Sequence, residues 1–591
     1  MEKHISWVEA EEKEFEKKVL SEYSRDEIRK HLEYLSTLIR RAGTEDELKA
    51  AKYIKARLDE YGVESEIYEF DGYISLPGEA TLEVLSPVQK SFPCLSGVFI
   101  IPTPPEGLEA ELIYLGEEVE KNDEEVDVRG KVVLITGSRE SRNDAARIAR
   151  EKGAAAQVHV TPGKTRAMIV VQPRTVWGSP TPETIDKNLS PPVISVCHED
   201  GKYLLDLVQK GRVIVRLKAD AWCGYKKVRL PVGRIKGTGD PDKFVLVGGH
   251  YCSWFSGASD NAVANSVKLE MARVFSKYRK KLNRGVRFCW WMAHEQGTFG
   301  GSTWYLDNFW DDIRDHAVAY LAMDGLGRKG SSGFEARNSE EIRKFQENVV
   351  KEVLGLKVKS KRVRKSGDQS FWGVGLPSLL GGTFFDTPEN LDEDPLWYSH
   401  TAEDTLDKVD IDVIQIPFKV HAVSILRLCN NPVLPFEFVS LAKEFREGLR
   451  DLQLKSESIF DLKPLIIQTR ELEKKAKVLN QMIEKNLSTL GKKRTDRSFK
   501  KKLETINRCL MQLSRILLPV FSTKAGKYGQ DPAGTKFKPI LTLQRLEELN
   551  SLKRESEEYK AFRTFLLRER NKISDALNLA DRLLEDTTGN L

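Results

Sequence analysis

The chain lacks several patterns that mark secreted or membrane proteins. Its seven cysteines are scattered and form no CxxC pair, an odd, unpatterned set that predicts free thiols in a reducing cytoplasm. No run of about 18 apolar residues is present, so the sequence predicts no membrane span. Residues 1–18 are dense in charge and carry no apolar stretch, which argues against a secretory signal.

Two further absences concern charge and glycine. Lysine and arginine total 93 against 88 acidic residues, and the net charge of +5 is too small to favour nucleic-acid binding. The glycine-rich turns at 248–249 and 325–327 lack the Lys-Ser/Thr pair of a phosphate-binding loop. We therefore predict no nucleic-acid partner and no nucleotide site.

The residue patterns that indicate helices or strands change along the sequence, which predicts several domains. Thr44, with Glu47 three residues later, predicts a capping box that opens an amphipathic helix, and Gly62 closes it. Short β-like runs dominate 82–221, and strands then alternate with helices from Val228. The predicted divisions are 1–81 (first part of a hydrolase core), 82–221 (an inserted β-rich domain), 222–412 (the rest of the core) and 413–591 (a helical domain).

The predicted fold class is α/β, with a mixed, largely parallel sheet flanked by helices, because strands and helices alternate in the core. Candidate core strands cover 244–247, 286–292, 318–323 and 378–380. After about residue 410 the strand signals end and helical stripes take over. These stripes consist of Leu465, Leu472, Leu479 and Ile483, followed by Phe562, Leu566, Ile573, Leu577 and Leu584.

Five histidine and acidic residues fall just beyond predicted strands or in the loops that follow them: His250, Asp260, Glu295, Asp324 and His400. Each has an ordinary alternative, since Asp260 could cap a helix and a lone histidine is more often structural. Ordinary structural roles do not easily explain all five together, because loops at the carboxyl ends of parallel strands meet at one crevice. Two imidazoles and three carboxylates suit two Zn²⁺ ions, one carboxylate bridging both.

The segments GGHYCS, GASDNA, HEQGTFGGS, AMDGLG, SGDQSFWGVGLPS and WYSHTAEDTLDK resemble, in this order, the motifs of the M28 family of zinc aminopeptidases and carboxypeptidases. The resemblance runs from about Glu27 to Asp410. It includes an insertion that resembles a protease-associated (PA) domain. The order of core, insertion, core and helical tail is similar to that of glutamate carboxypeptidase II and the transferrin receptor. It implies a homodimer formed through the helical domain, whose stripes offer more apolar surface than the tail could bury alone.

The resemblance also implies a role for each site residue. Asp260 would bridge two Zn²⁺ ions, one completed by His250 and Asp324 and the other by Glu295 and His400. The catalytic base of the family is a glutamate just before the Glu295 position, where this chain has His294. A neutral imidazole can accept a proton near neutral pH, so His294 could be a working base, although an inactive site or another base remains open.

A second departure from the family is Cys252, where an aspartate usually orients the first histidine. Cys252 cannot perform that task well, and it is either a thiolate near the metals or an inert small residue. Two further features have two readings each. The basic stretch 357–368 either attracts an acidic substrate or is a solvated strand edge, and Tyr398 either stabilises an oxyanion or packs as an ordinary aromatic residue.

The function expected from the sequence is that of a cytoplasmic, dinuclear zinc hydrolase that cleaves an amide bond in a peptide or amino-acid conjugate. Two alternatives stay open. One is a non-catalytic binding protein with the architecture of the transferrin receptor. The other is a metal-dependent enzyme that cleaves a non-peptide amide or catalyses a cyclisation.

Overall fold

The structure is a computed structural model that describes residues 10–115, 127–137, 147–163, 165–173, 176–385, 394–456, 459–489, 496–535 and 537–589. The helices named here are α1 Ala10–Leu20, α2 Arg25–Ser36, α3 Glu45–Glu60, α4 His198–Lys210, α5 Val263–Lys277, α6 Gly300–Asn308, α7 Trp310–His316, α8 Glu340–Leu354, α9 Ile411–Asn430, α10 Phe438–Lys455, α11 Lys463–Ser488, α12 Arg497–Ser522 and α13 Glu557–Gly589.

The strands are β1 Glu64–Ser86, β2 Lys90–Phe92, β3 Leu95–Ser96, β4 Leu108–Tyr114, β5 Val132–Ile135, β6 Ala156–Val160, β7 Val193–Val196, β8 Val213–Ile235, β9 Asp240–His250, β10 Arg284–Trp291, β11 Ala317–Ala322, β12 Ser332–Asn338, β13 Lys361–Arg362 and β14 Ser378–Phe384. They join in the order β13-β12-β14-β11-β9-β10-β8-β4-β5-β6-β7-β3, while β1 pairs with β8 and β2 pairs with β1.

The core part of the sheet confirms the predicted fold class. Strands β14, β11, β9 and β10 are parallel neighbours, and each overlaps one of the four candidate strands, although β10 and β11 end one residue earlier than predicted. Antiparallel pairs at β12–β14 and β10–β8 make the sheet mixed. Helix α5 follows Asp260 as predicted, but it is buried on all sides, and only Arg273 and Lys277 of its 15 residues escape full burial.

A long antiparallel ribbon connects the core strands to residues 82–221. Strands β1 and β8 have 23 residues each and pair from Glu64–Arg234 at one end to Ser86–Ile214 at the other. Near its core end β8 pairs with β10, and near its far end it pairs with β4. At the far end of the ribbon, buried residues from the described part of 82–221 form an apolar cluster of their own. The domain boundaries themselves stay a prediction.

The predicted cap of α3 is present, with one difference. The Thr44 side chain accepts the Glu47 N–H, and Gly62 has the positive φ of 67° that favours glycine. The Glu47 carboxylate does not reach back to the cap. It is buried and accepts hydrogen bonds from the Arg229 N–H at 2.8 Å and the Tyr251 hydroxyl at 2.9 Å. Glu47 therefore ties α3 to the core instead of completing a capping box.

The helical tail has the predicted stripes, but it covers them within one chain. Leu465, Leu472, Leu479 and Ile483 are at most 2% exposed, because α11 packs against α10 and α13. The expectation that these stripes need a second subunit to cover them is therefore wrong. The dimer itself stays a prediction. Among the described residues, no helix is both long and apolar enough to cross a bilayer.

Candidate metal centre

The five predicted ligands come together at the carboxyl edge of the core strands. His250 is the last residue of β9, and Glu295 and Asp324 lie shortly after β10 and β11. Asp260 comes just before α5, and His400 lies in the loop before α9. The parallel order β11-β9-β10 places these strand ends side by side, as the sequence predicted.

The ligands form two groups that share Asp260. In the first, His250 Nε2 lies 3.1 Å from Asp260 Oδ1 and 3.5 Å from Asp324 Oδ1. In the second, His400 Nε2 lies 3.5 Å from Asp260 Oδ2 and 3.1 Å from Glu295 Oε1. The ligand atoms within each group all lie within 4.8 Å of one another. Each oxygen of Asp260 thus faces a different group, an arrangement that suits a carboxylate bridging two ions.

The hydrogen bonding of His250 fits a metal ligand. Its Nδ1 lies 3.0 Å from the main-chain carbonyl of Cys252, which can only accept, so Nδ1 carries a proton. In the neutral ring the Nε2 lone pair is then free to bind a cation. Nε2 is buried and makes no hydrogen bond within the described part of the chain. A metal ion would satisfy this atom.

The carboxylates give the centre an excess of negative charge. Burial acts against the imidazolium form, but Asp260 and Asp324 outweigh it and raise the pKa of His250 well above its ordinary value. Burial also acts against the Asp260 carboxylate, yet contacts with His250 and His400 hold the pKa of Asp260 well below its usual range. Three carboxylates facing two imidazoles leave negative charge that divalent cations would neutralise.

Residues that the sequence analysis missed hold Asp260 in place. The Asp404 carboxylate accepts the N–H groups of Ser259 at 2.9 Å and Asp260 at 3.1 Å. The Ser399 hydroxyl donates to Asp260 Oδ2 at 3.0 Å. The amide of Asn261 donates to the His250 carbonyl, at the end of β9, and to the Met323 carbonyl, just past β11. The segments DNA and HTAED contain Asn261 and Asp404, but spacing alone gives no indication of these bonds.

His294 lies beside the ligands and is held by a carboxylate from another loop. Its Nδ1 is 2.9 Å from Asp368 Oδ2, and Asp368 Oδ1 accepts the Ser302 hydroxyl at 3.2 Å. The ring stacks on His250 with centroids 3.8 Å apart. One nitrogen of His294 lies within 4.8 Å of ligand atoms of His250 and Glu295. The Asp368 contact orients the ring, as a partner carboxylate does for a catalytic or metal-binding histidine.

Cys252 performs the orienting task through its main chain. Its carbonyl fixes His250, while its Sγ accepts the Glu295 N–H at 3.4 Å. Burial raises the pKa of the Cys252 thiol, which favours the inert reading over a thiolate. The Cys252 carbonyl therefore makes the shorter contact with His250 Nδ1, while the Cys252 thiol lies 3.8 Å from the same nitrogen.

The structure also places Tyr398 and the basic stretch 357–368, each of which has two interpretations from the sequence. Tyr398 is buried at 5% exposure, close to His400 in sequence, and burial raises the pKa of its phenol. In the basic stretch, Lys357, Lys359 and Lys361 are exposed at the β13 edge of the sheet. Lys365 instead turns inward, where its Nζ donates to the Gln369 carbonyl at 2.9 Å. The solvated-edge reading thus fits the first part of the stretch, and Lys365 supports the loop that carries Asp368.

The comparisons with known proteins agree with this geometry. Residues 232–423, which contain all five candidate ligands and His294, match the model of peptidase family M28. Residues 232–423 are therefore an M28-like region of the chain. Its class is accordingly that of a metal-dependent hydrolase of the peptidase type.

Several relatives of this protein are known. The "Probable glutamate carboxypeptidase VP8" of Zea mays is 25% identical over 70% of this chain and 68% of its own length. The "Probable glutamate carboxypeptidase AMP1" of Arabidopsis thaliana is 24% identical over 46% of this chain and only 40% of its own length. A zinc aminopeptidase from Bacillus subtilis has the same fold, with a TM-score of 0.54 at 21% identity, over 69% of this chain and 96% of that structure.

Proposed function

We propose that this protein is a dinuclear zinc hydrolase that cleaves an amide bond in a peptide or amino-acid conjugate. The observation that carries the proposal is the pair of ligand groups that share Asp260, one oxygen of which faces each group. The relatives that bear peptidase names support the amide as the bond cleaved. The paired ligands support two ions, which the M28 match alone does not specify.

In the proposed reaction the metal ions act as Lewis acids and His294 transfers the proton. A pair of divalent ions supplies Lewis acidity, which acidifies water and stabilises negative charge on a carbonyl oxygen. Asp368 holds the Nδ1 of His294, which leaves Nε2 to take a proton from the attacking water. The same nitrogen then gives the proton to the departing amine. His294 thus replaces the glutamate base of the family.

The two alternatives from the sequence differ in how much of this site they require. A pure binding protein has no need of five ligands and an oriented His294, and this chain has all of them. An enzyme of cyclisation or non-peptide amide chemistry would use the same ions and the same base. Substrate trials must therefore separate it from a peptidase.

Metal content is the first test of the proposal. Elemental analysis of the purified, zinc-supplied protein should give close to two divalent ions per chain, because each ligand group has three side chains. The loaded protein is then tested on aminoacyl amides, N-acyl dipeptides and acyl-amino-acid amides. Protein that holds no metal after zinc is supplied would contradict the proposed function as a whole.

One feature favours a substrate with a free carboxylate. Arg328 lies four residues after Asp324, and it packs so closely on Gly325 that a β-carbon there would come within 2.5 Å of Nη2. Its Nε is buried and makes no hydrogen bond among the described residues. Its charge lowers the pKa values of Tyr398 and Asp404, against the effect of burial, so it lies on the His400 side of the centre. We therefore propose a carboxypeptidase-like preference.

The quaternary structure is a separate proposal. Exposed apolar side chains remain on the helical tail, among them Ile467 at 56%, Val478 at 45% and Leu579 at 44%. We propose that the tail forms a homodimer. Light scattering at micromolar concentration should give about twice the chain mass of 67.1 kDa. A mass that stays at one chain over this range would contradict the dimer without affecting the metal centre.

A further inference from the structure

Residues 169–173 and 176–178, which belong to the stretch between β1 and β8, lie directly over the metal centre. The Val170 N–H donates to the His400 carbonyl at 3.2 Å, and the Gly178 N–H donates to the Thr298 carbonyl at 2.7 Å. Trp177 stacks on Phe299 with centroids 3.8 Å apart. This part of the inserted segment therefore forms one wall of the site.

Gln172 makes the most direct of these contacts, because it reaches a candidate ligand. Its Nε2 donates to Glu295 Oε2 at 2.6 Å and to the Glu295 carbonyl at 2.9 Å. Both partners are acceptors, so the amide nitrogen, not the amide oxygen, must face them. Gln172 is only 7% exposed, so solvent competes little with these bonds.

The two oxygens of the Glu295 carboxylate consequently face different partners. Oε1 lies 3.1 Å from His400 Nε2, on the side of the second ligand group. Oε2 is held by the Gln172 amide. A carboxylate that bound an ion through both oxygens would have to give up this buried hydrogen bond, and the Gln172 amide would keep only the Glu295 carbonyl as an acceptor.

We propose that Gln172 is a positioning residue that commits Glu295 to bind its metal ion through Oε1 alone. This inference rests on the proposed metal centre and adds a role for the inserted segment. Ligation by one oxygen leaves a coordination position for substrate, as catalytic zinc sites require.

The test compares Gln172→Met, which keeps the chain length and removes the donor, with Gln346→Met as a matched control. Gln346 is buried in α8, and neither polar atom of its side-chain amide makes a hydrogen bond to the described residues. Cobalt replaces zinc in each protein, and chelator competition gives the affinity of each ion. The visible absorption of cobalt reports its coordination number independently of catalysis.

Gln172→Met should weaken the binding of one of the two ions by about 10–100-fold, the usual effect of losing a partner to a metal ligand. Its cobalt absorption should weaken as Glu295 adds its second oxygen. Gln346→Met should change neither property. Gln172→Asn, which keeps an amide but is one methylene shorter, should show the same changes and carries the test if Gln172→Met does not fold.

A Gln172→Met protein with the affinity and spectrum of the wild type would overturn the inference and leave the proposed function intact. Equal changes in Gln172→Met and Gln346→Met would also overturn it, because the effect would then follow from general destabilisation. Wild-type protein that binds no cobalt would overturn both this inference and the proposed function.

Discussion

Replacement of His294 by alanine should lower turnover by about 10²–10⁴-fold while both metal ions stay bound. This is the usual size of a general base contribution. The five ligands remain in place in the variant, so occupancy should not change. Turnover is measured on the best substrate from the screen, and metal content is measured on the same preparation.

Glu295→Ala is the matched control, because it changes the adjacent residue. It removes one of three side chains from the second ligand group, so metal occupancy and turnover should fall together. His294→Ala should separate these two quantities. The contrast between the neighbouring residues distinguishes the base from the ligand.

Two results would contradict the role given to His294. If His294→Ala lost one ion, His294 would be a ligand, a role that its position within 4.8 Å of the His250 and Glu295 ligand atoms allows. If it kept both ions and nearly full activity, His294 would be a bystander. Asp368→Asn adds a second measure, since it removes the carboxylate that orients the ring and should lower turnover less than His294→Ala does.

The sequence indicated where the candidate ligands come together better than it indicated which contacts hold them in place. His250, Glu295 and Asp324 follow buried strands, and the rule that parallel strands end at one edge of a sheet brings them together. Asp368 lies 74 residues from His294, and Gln172 lies 123 residues from Glu295. No local pattern records a pairing at such distances, because it depends on how loops of separate elements pack.

Two differences between sequence and structure have the same physical origin. The sequence-based interpretation of Cys252 considers only whether its side chain can orient His250. The contact that holds His250 comes from the main-chain carbonyl, a group that every residue possesses. The apolar stripe from Leu465 to Ile483 predicts a surface that a second subunit buries, but neighbouring helices of the same chain bury it instead. Periodicity shows which side of a helix is apolar and leaves open what covers it.

Arg328→Met should abolish the preference for a substrate with a free carboxylate. The wild-type protein should cleave an N-acyl dipeptide acid much faster than the corresponding dipeptide amide, because the buried Nε of Arg328 makes no hydrogen bond among the described residues and we expect it to pair with a substrate carboxylate. Truncation of a buried charge pair costs about 2–5 kcal/mol, which corresponds to a loss of roughly 30- to 5,000-fold in kcat/KM for the acid. The kcat/KM for the amide should change little.

Lys329→Met is the control, because it removes an exposed positive charge from the next position of the same loop. It should leave the ratio of acid to amide cleavage unchanged, since a solvated charge contributes little to binding. If Arg328→Met lowered both rates equally, Arg328 would act by supporting the Asp324 loop and not by binding substrate. If the wild type preferred substrates with a free amine and ignored the carboxylate, the protein would act as an aminopeptidase. The two metal ions and His294 would then cleave an amide bond at the amino end of the peptide instead of the carboxyl end.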